Sequence, residues 1–410
     1  MRHWLIAALS LIAVCAGAQD IAIVGGRIEL GNGKSIAKGN IIVRGGKIEA
    51  IGPNAAVPSG MTTYDAAGTT VYPGFIDGFS TSGLKFPSPP EQPPLRDTTT
   101  TAPATMWELN RRGIRGRLNI AECLDLAGIL NDAHKAGITA ALLSPGTGTV
   151  RGRTAVALMT DEKQSATPYG IGLSYRGGGG GSGYPSTPMG YTALLRQTLA
   201  DAQTYAMNAP AKEDLDLKGI TPLFKKEAVA VIAADTEGDI FRAFKTAEEF
   251  GFSFVVSGGR EAYQIAAKLA SAKVPVLVNI ALGTEPTATA QPDGPPQAIL
   301  DERKEQWRER VMNVLNLEKA KVKYAFSSDA AGFDGYLGNI RKLIGHGLDK
   351  NAALRAMTMS PAEIFGLEKS LGSLEAGKTA NIVVMTGDFA DEKSTVKATF
   401  VNGKKFEVAK

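Results

Sequence analysis

The chain has 410 residues, of which 44% are hydrophobic and 21% are charged, and its formal net charge at pH 7 is +4. With a mean hydropathy of -0.05, this composition allows a large buried core and excludes a globally disordered chain. The nearly neutral charge also excludes a strongly basic protein that would hold nucleic acid or anionic lipid through its overall field.

The first 18 residues have the pattern of a secretory signal peptide. A charged start precedes an apolar run over residues 4–13, and Ala-Gly-Ala at 16–18 forms a small-residue cleavage signal. The run is too short for a transmembrane helix, so we expect residues 1–18 to be removed and the protein to be exported, to the periplasm or outside the cell. A lipid anchor on Cys15 is the alternative. After cleavage Cys123 is the one remaining cysteine, so no intramolecular disulfide can form, and its helical pattern predicts core packing.

Both ends of the mature chain are predicted to form short β-strands. Between residues 21 and 67, short apolar or alternating runs are separated by glycine pairs, which is typical of a meander of hairpins. Similar runs at 380–385 and 395–404 predict strands near the C-terminus. We expect residues 19–70 and 371–410 to form one composite β-sandwich domain.

The middle of the chain alternates apolar runs with helical patterns. Predicted strands at 138–143, 229–233, 252–256, 274–278 and 324–327 are separated by helical stretches such as 239–250 and 261–272. This alternation indicates an α/β protein with parallel strands and crossover helices, and residues 71–370 fit a (β/α)8 TIM-like barrel. A Pro/Thr-rich stretch at 85–103 and a glycine-rich stretch at 177–183 interrupt the pattern and are predicted to be surface loops, or lids if they lie at the barrel mouth.

Two segments carry a family resemblance. Residues 71–81 read Val-Tyr-Pro-Gly-Phe-Ile-Asp-Gly-Phe-Ser-Thr and resemble the metal-binding strand of the amidohydrolase superfamily, Pro-Gly-Phe-Ile-Asp-x-His-x-His. Residues 353–362 and 371–384 resemble the closing signature of imidazolonepropionase-like amidohydrolases. The resemblance implies a barrel with a β-sandwich from both termini, and an activity that hydrolyses amide or cyclic amide C–N bonds with a divalent metal at the barrel mouth.

The same resemblance locates the metal ligands of the family on this sequence. Four family histidines fall at Phe79 and Thr81 on strand 1, Ala233 on strand 5 and Gly258 on strand 6, whereas Asp329 matches the strand-8 aspartate. One carboxylate does not hold a catalytic zinc, which needs three or four protein ligands. We therefore expect no zinc or other cofactor, with the Phe79 ring filling the mouth. Asp329 is then a residual acid/base group or a structural carboxylate held by hydroxyl or backbone donors.

Other residues offer alternative sites. His134 and His346 fall at predicted helix ends, where they are expected to have structural roles. Four carboxylates could form an all-oxygen site for Ca²⁺ or Mg²⁺: Asp235, Glu237, Asp239 and Asp329. Against this, Glu237 and Asp239 have the position of acidic residues at a helix N-terminus. The basic residues at 111–117 and the mixed charges at 301–310 are predicted to be solvated surfaces, although the former could meet an anionic ligand.

These observations leave three functional hypotheses. The main one is an exported, non-catalytic amidohydrolase-like protein that binds a small molecule or acts as the partner subunit of an active homologue. The alternative is an active C–N hydrolase with an unusual metal site or with Asp329 alone, and a third is a purely structural exported protein. Predicted partners are a second copy of the chain or an active amidohydrolase homologue, together with a small ligand that the sequence does not identify. Neither nucleic acid nor, after signal cleavage, a membrane is expected.

Overall fold

The computed structural model describes residues 20–86, 113–162, 166–176, 185, 187–208, 213–286 and 294–408. The predicted signal peptide at 1–18 and the glycine-rich stretch at 177–183 lie outside the described residues, as does the Pro/Thr-rich stretch beyond residue 86. Within the described parts, no helix is both long and apolar enough to cross a membrane.

The chain forms two sheets and a set of helices. The strands are β1 (Ile21–Glu29), β2 (Ser35–Arg44), β3 (Lys47–Gly52), β4 (Thr62–Asp65), β5 (Thr70–Pro73), β6 (Phe75–Ser80), β7 (Ile138–Leu143), β8 (Val150–Leu158), β9 (Ala166–Ser174), β10 (Val229–Ala234), β11 (Phe254–Gly258), β12 (Val276–Asn279), β13 (Tyr324–Ser327), β14 (Ile382–Met385), β15 (Val396–Val401) and β16 (Lys404–Glu407). The helices are α1 (Leu130–Lys135), α2 (Pro188–Met207), α3 (Leu215–Ile220), α4 (Glu237–Phe250), α5 (Ala266–Ser271), α6 (Gln297–Lys319), α7 (Gly332–Gly345), α8 (Lys350–Met357) and α9 (Met359–Ile364).

One sheet is built from both termini. Its strand order is β16-β15-β14-β5-β1-β2-β3, and β4 pairs with β1 away from this path. The prediction that N- and C-terminal strands share one β-structure is therefore confirmed. The join is at β5 and β14, which pair antiparallel from Pro73 opposite Ile382 to Thr70 opposite Met385. Asn381 also ties this sheet to the barrel, because its backbone carbonyl accepts a hydrogen bond from Gly74 N–H at 2.8 Å.

The second sheet contains β6 to β13 in sequence order and forms the predicted barrel. Strands such as β7 are buried along their whole length and mostly apolar, as expected where both faces of a strand are covered. Alternate residues point inward and form an apolar interior cluster that includes Ile76, Leu142, Val231 and Leu277. The α/β barrel predicted from the sequence is confirmed.

One strand departs from the regular (β/α)8 pattern. β8 runs antiparallel to both β7 and β9, so these three strands form a meander without crossover helices. Only residues 144–149 connect β7 to β8, and a parallel crossover needs about a dozen residues or more. The alternation rule could not detect this strand, because no helical pattern separates β7 from β8.

The barrel is closed between β13 and β6 by side chains. Ser327 Oγ donates to the Phe79 carbonyl at 2.8 Å and accepts the Asp329 N–H at 3.2 Å. The fully buried Asp77 accepts hydrogen bonds from the Ser328 backbone N–H at 2.8 Å and from the Ser328 hydroxyl. These bonds take the place of a backbone ladder at the seam and hold the tip of β6 against the tip of β13.

Candidate functional site

The candidate site lies at the mouth of the barrel, where the parallel strands end. Of the residues predicted there, Phe79 is at the end of β6 and is 2% exposed, within the apolar interior cluster. Thr81 follows β6, Ala233 lies near the end of β10 and Gly258 ends β11. A large apolar ring therefore lies inside the barrel, as expected, whereas its coincidence with the metal position of the family stays a prediction.

Asp329 lies after β13 and is partly buried. Its Oδ1 accepts a hydrogen bond from the Thr81 hydroxyl at 3.2 Å, one of the two donors predicted from the sequence. The other, Ser328, bonds Asp77 instead. Burial raises the pKa of Asp329, and the Thr81 bond and the charge of Arg151 only partly oppose this effect.

Asp235 follows β10 and faces Gly258 on the neighbouring strand. Its Oδ2 lies 3.3 Å from Arg260 Nη2, while its Oδ1 is buried and has no hydrogen-bond partner. A Cβ built on Gly258 would lie 2.5 Å from Asp235 Oδ1, and Gly258 has φ +102°. Position 258 therefore lacks both the space and the backbone conformation for a histidine while Asp235 stays where it is.

Arg151 is a site residue that the sequence reasoning missed. Val150 pairs with Leu173 and Gly152 with Gly172, so Arg151 is the extra residue of a β-bulge. Gly152 has φ +109°, which the bulge requires and which other residues rarely adopt. The signal available in the sequence was an arginine followed by glycine at the start of an otherwise apolar strand.

The bulge aims the Arg151 side chain into the mouth. A Cβ built on Gly172 would lie 2.9 Å from the Arg151 Cβ and 3.1 Å from the Ser144 hydroxyl, so the absent side chain of Gly172 leaves room for the arginine stem. Arg151 Nε is buried without a hydrogen-bond partner. Burial lowers the pKa of the guanidinium, and the charges of Asp329 and Asp235 oppose this effect. Thr149 Oγ1, two residues earlier, is also buried without a partner.

The four carboxylates of the all-oxygen alternative do not converge. Asp239 pairs with Arg242 in the first turn of α4 and lies 3.7 Å from Arg176 Nη2. Glu237 is exposed, and its backbone N–H is capped by Glu261 at 2.9 Å. Glu237 and Asp239 thus sit at the helix N-terminus, as the structural interpretation predicted. Across the described ranges, no group of three or more His, Cys, Asp or Glu residues is placed to hold a metal ion.

The remaining sequence candidates lie away from the mouth. His134 Nε2 is 2.8 Å from the Met159 carbonyl and His346 packs edge-on against Trp307, both at helix ends as predicted. Cys123 is buried after a short 3-10 turn. Of the basic residues at 111–117, the first two lie outside the described residues, and Arg117 is an exposed partner of Asp216. The charges at 301–310 are on the solvent side of α6, as expected.

The residues of the mouth do not fit the zinc that the fold family implies. Zinc needs three or four nitrogen, sulfur or carboxylate ligands, and here Asp329 is accompanied by a threonine hydroxyl and by the positive charge of Arg151. A guanidinium close to the site repels a cation, because it keeps its charge even when it is partly buried. No step involving a metal follows from this arrangement.

Comparisons with known proteins agree with the fold. Residues 225–406 match the family model described as Amidohydrolase family. The matched segment is similar to that family. It runs from before β10 into the C-terminal strands, and it includes Ala233, Asp235, Gly258 and Asp329.

Three solved structures resemble this chain over nearly its whole length. An amidohydrolase from Thermotoga maritima MSB8 has 23% identity and a TM-score of 0.75, over 94% of this chain and 100% of that one. A prolidase complexed with N-methylphosphonate-L-proline has 16% identity and a TM-score of 0.58, over 94% and 99%. A Xaa-Pro dipeptidase with bound methionine in its active site has 14% identity and a TM-score of 0.51, over 95% and 100%. At these identities the likeness shows the fold.

Proposed function

We propose that this protein is an exported, non-catalytic member of the amidohydrolase fold that binds a small molecule at its barrel mouth. The observation that carries the proposal is the partly buried guanidinium of Arg151 near Asp329, in place of a set of metal ligands; its Nε is buried and has no hydrogen-bond partner. The contact between Asp235 and Gly258 adds to it, because it leaves no space for a histidine at that position.

The test is the metal content and the hydrolytic activity of the purified chain. We expect protein prepared without added metal to contain no stoichiometric zinc by elemental analysis. We also expect it to leave dipeptides and N-acyl amino acids intact, with or without added Zn²⁺ or Mn²⁺. A bound zinc that survives dialysis, together with metal-dependent hydrolysis, would overturn the proposal.

Restoring part of the family pattern provides a second arm of the same test. The double variant Phe79→His, Thr81→His supplies two imidazoles, but β10 and β11 still lack theirs, so tight zinc binding is not expected. Nanomolar zinc affinity in this variant would reveal ligands that the proposal does not include.

Two observations favour the alternative, an active hydrolase. Burial raises the pKa of Asp329, and a raised carboxyl pKa is a property of acid/base catalysts. Two of the structural neighbours are also described as a prolidase and a Xaa-Pro dipeptidase. Metal-independent hydrolysis that Asp329→Asn abolishes would support this alternative over a binding role.

Export and assembly are further parts of the proposal. Mass spectrometry of the protein recovered from the periplasm or medium should give Gln19 as the N-terminus, since the cleavage signal ends at residue 18. A chain that acts as a partner subunit should form a stable complex with itself or with a co-exported active amidohydrolase on size-exclusion chromatography. A cytoplasmic location with residues 1–18 retained contradicts the exported role.

A further inference from the structure

Three buried polar atoms without a partner lie at the strand ends around the mouth: Thr149 Oγ1, Arg151 Nε and Asp235 Oδ1. Buried polar atoms in native proteins are nearly always hydrogen-bonded, and exceptions commonly mark a missing water, ion or ligand. Three others in the described residues belong to aromatic side chains on the outside of the barrel wall: Trp307, Tyr324 and Tyr336. At the mouth, therefore, two charged side chains, Arg151 and Asp235, each have a buried atom that a bound ligand could hydrogen-bond.

Among the described residues, the charges at the mouth leave Arg151 without an ion pair. Asp235 is paired with Arg260 through Oδ2, and Asp239 is paired with Arg242. Asp329 and Asp235 are close enough to act on the Arg151 charge electrostatically. In the part of the chain that the structure describes, however, neither carboxylate forms an ion pair or hydrogen bond with the guanidinium. A partly buried guanidinium that stays charged has lost much of its hydration, so an anion that contacts it restores a favourable environment.

The β-bulge indicates that this arrangement is built into the strand. In a regular antiparallel pairing, Arg151 would lie opposite a residue of β9. The bulge instead leaves Arg151 without a partner residue on β9, between Val150 and Gly152. Bulges beside functional sites commonly re-aim a side chain, at the cost of a local break in the ladder. The glycines at 152 and 172 provide the backbone conformation and the space for this insertion.

The nearby carboxylates limit which anion fits. A dianion such as phosphate would meet repulsion from Asp329 and Asp235, whereas a monocarboxylate carries one charge and can accept a forked pair of hydrogen bonds from arginine. Asp235 Oδ1 needs a donor, which a hydroxyl or amino group next to the carboxylate supplies. We propose that the barrel mouth binds a small carboxylate with an adjacent hydroxyl or amino donor, anchored by Arg151 and oriented by Asp235. This proposal rests on the proposed function, because it requires a mouth without a metal.

The experiment measures binding of four sodium salts or neutral solutes at matched ionic strength: lactate, glycine, acetate and phosphate. Isothermal titration and thermal shift are read on the full chain and on two variants. Arg151→Met removes the anchoring charge at nearly constant length. Arg153→Met removes the exposed arginine two residues along the same strand and is the matched control. We expect lactate or glycine to bind the unchanged chain and Arg153→Met alike, and to bind Arg151→Met about 10- to 100-fold more weakly.

A second variant tests whether Asp235 accepts a hydrogen bond from the hydroxyl or amino group of the ligand. This test does not depend on the folding of the Arg151 variant. Asp235→Ala, which removes both carboxylate oxygens, should abolish the preference for lactate or glycine over acetate, while acetate binding is kept. Lactate and glycine together distinguish a hydroxyl from an amino donor, and phosphate should bind most weakly. Equal affinity in Arg151→Met, or no binding of either compound to zinc-free unchanged chain, would overturn the anion site. Stoichiometric zinc in the same samples would instead contradict the proposed function.

Discussion

The two ends of the barrel are held together by different kinds of contact. At the bottom, α9 and the turn after it place Ala362, Phe365 and Leu371 in the apolar interior cluster. The Phe365 ring lies 4.9 Å from that of Tyr169, whose hydroxyl donates to the Ile364 carbonyl at 3.1 Å. Apolar burial and a satisfied hydroxyl close this end.

The mouth has the opposite character. Asp77 and Asp329 are carboxyl groups whose pKa values are raised by burial, and Arg151 and Asp235 each keep a buried atom without a partner. The comparison indicates that the bottom contributes stability, whereas the mouth keeps polar groups that only a ligand or solvent can satisfy.

Truncating a side chain of the apolar cluster at the bottom of the barrel should cost more stability than any change at the mouth. We expect Phe365→Ala to lower the free energy of unfolding by about 3–5 kcal/mol, because a buried ring is lost and a cavity remains. Urea unfolding followed by circular dichroism measures this change. The control is Phe241→Ala on α4, whose ring is 42% exposed and whose loss should matter far less. Equal costs for the two variants would contradict a stability role for the bottom.

The mouth should determine part of the pH dependence of stability. Burial raises the pKa of Asp77 from 3.8 to about 7, although its bonds from Ser328 oppose the shift. The folded chain therefore holds a proton that the unfolded chain releases above its ordinary pKa. The contribution of Asp77 to the free energy of unfolding is fully present below the pKa of the unfolded chain and is lost as pH rises towards about 7. Between those two pKa values it changes by at most about 1.4 kcal/mol per pH unit.

Asp77→Asn isolates this contribution from those of the other carboxyl groups. The amide keeps the shape of the protonated acid but cannot ionise, so the stability difference between the two chains should change with pH only between the ordinary and the raised pKa. Urea midpoints at a series of pH values give this difference. A difference that is constant with pH would show that Asp77 ionises in the folded chain as freely as in the unfolded one.

The smallest effect is expected at Gly258. An alanine there would adopt an unfavourable φ of +102° and its Cβ would press on Asp235 Oδ1, so Gly258→Ala should destabilise by about 1–3 kcal/mol. Gly338→Ala is the control: it lies on the exposed side of α7 with nothing within 4 Å of the added Cβ, and should stabilise by about 0.5–1 kcal/mol. The change in melting temperature of each variant, measured by thermal unfolding, tests both expectations. A neutral Gly258→Ala would mean that position 258 could accept a side chain after all.

Much of the fold could be predicted from the sequence because it depends on local patterns. β7 was predicted with its observed bounds, Ile138–Leu143, since a mostly apolar run between turn signals that is too short for a typical helix favours a buried strand. β8 was missed for the opposite reason. Its residues mix arginines, glycines and apolar side chains, and its direction depends on a short connection and not on composition.

Part of the candidate site could likewise be predicted from the sequence, and part could not. The Thr81 bond to Asp329 was predicted, because both residues follow strands that meet at one end of a barrel. Arg151 was not, since its entry into the mouth depends on a β-bulge and on the missing side chain of Gly172, which lies on a different strand. Asp77 was part of the recognised motif, yet its role at the seam required the position of Ser328, directly after β13.

By itself the sequence determined the barrel and the shared terminal sheet, because strand periodicity and motif spacing are properties of consecutive residues. That four family histidines are replaced stays a prediction from the same motifs. Only the tertiary structure decided what stands at the mouth. Arg151, Asp235 and Asp329 are separated by long stretches of chain, and their charges act on one another only after the strand ends converge. The sequence predicts that the family histidines are replaced, whereas the buried Nε of Arg151 without a hydrogen-bond partner is a product of the fold.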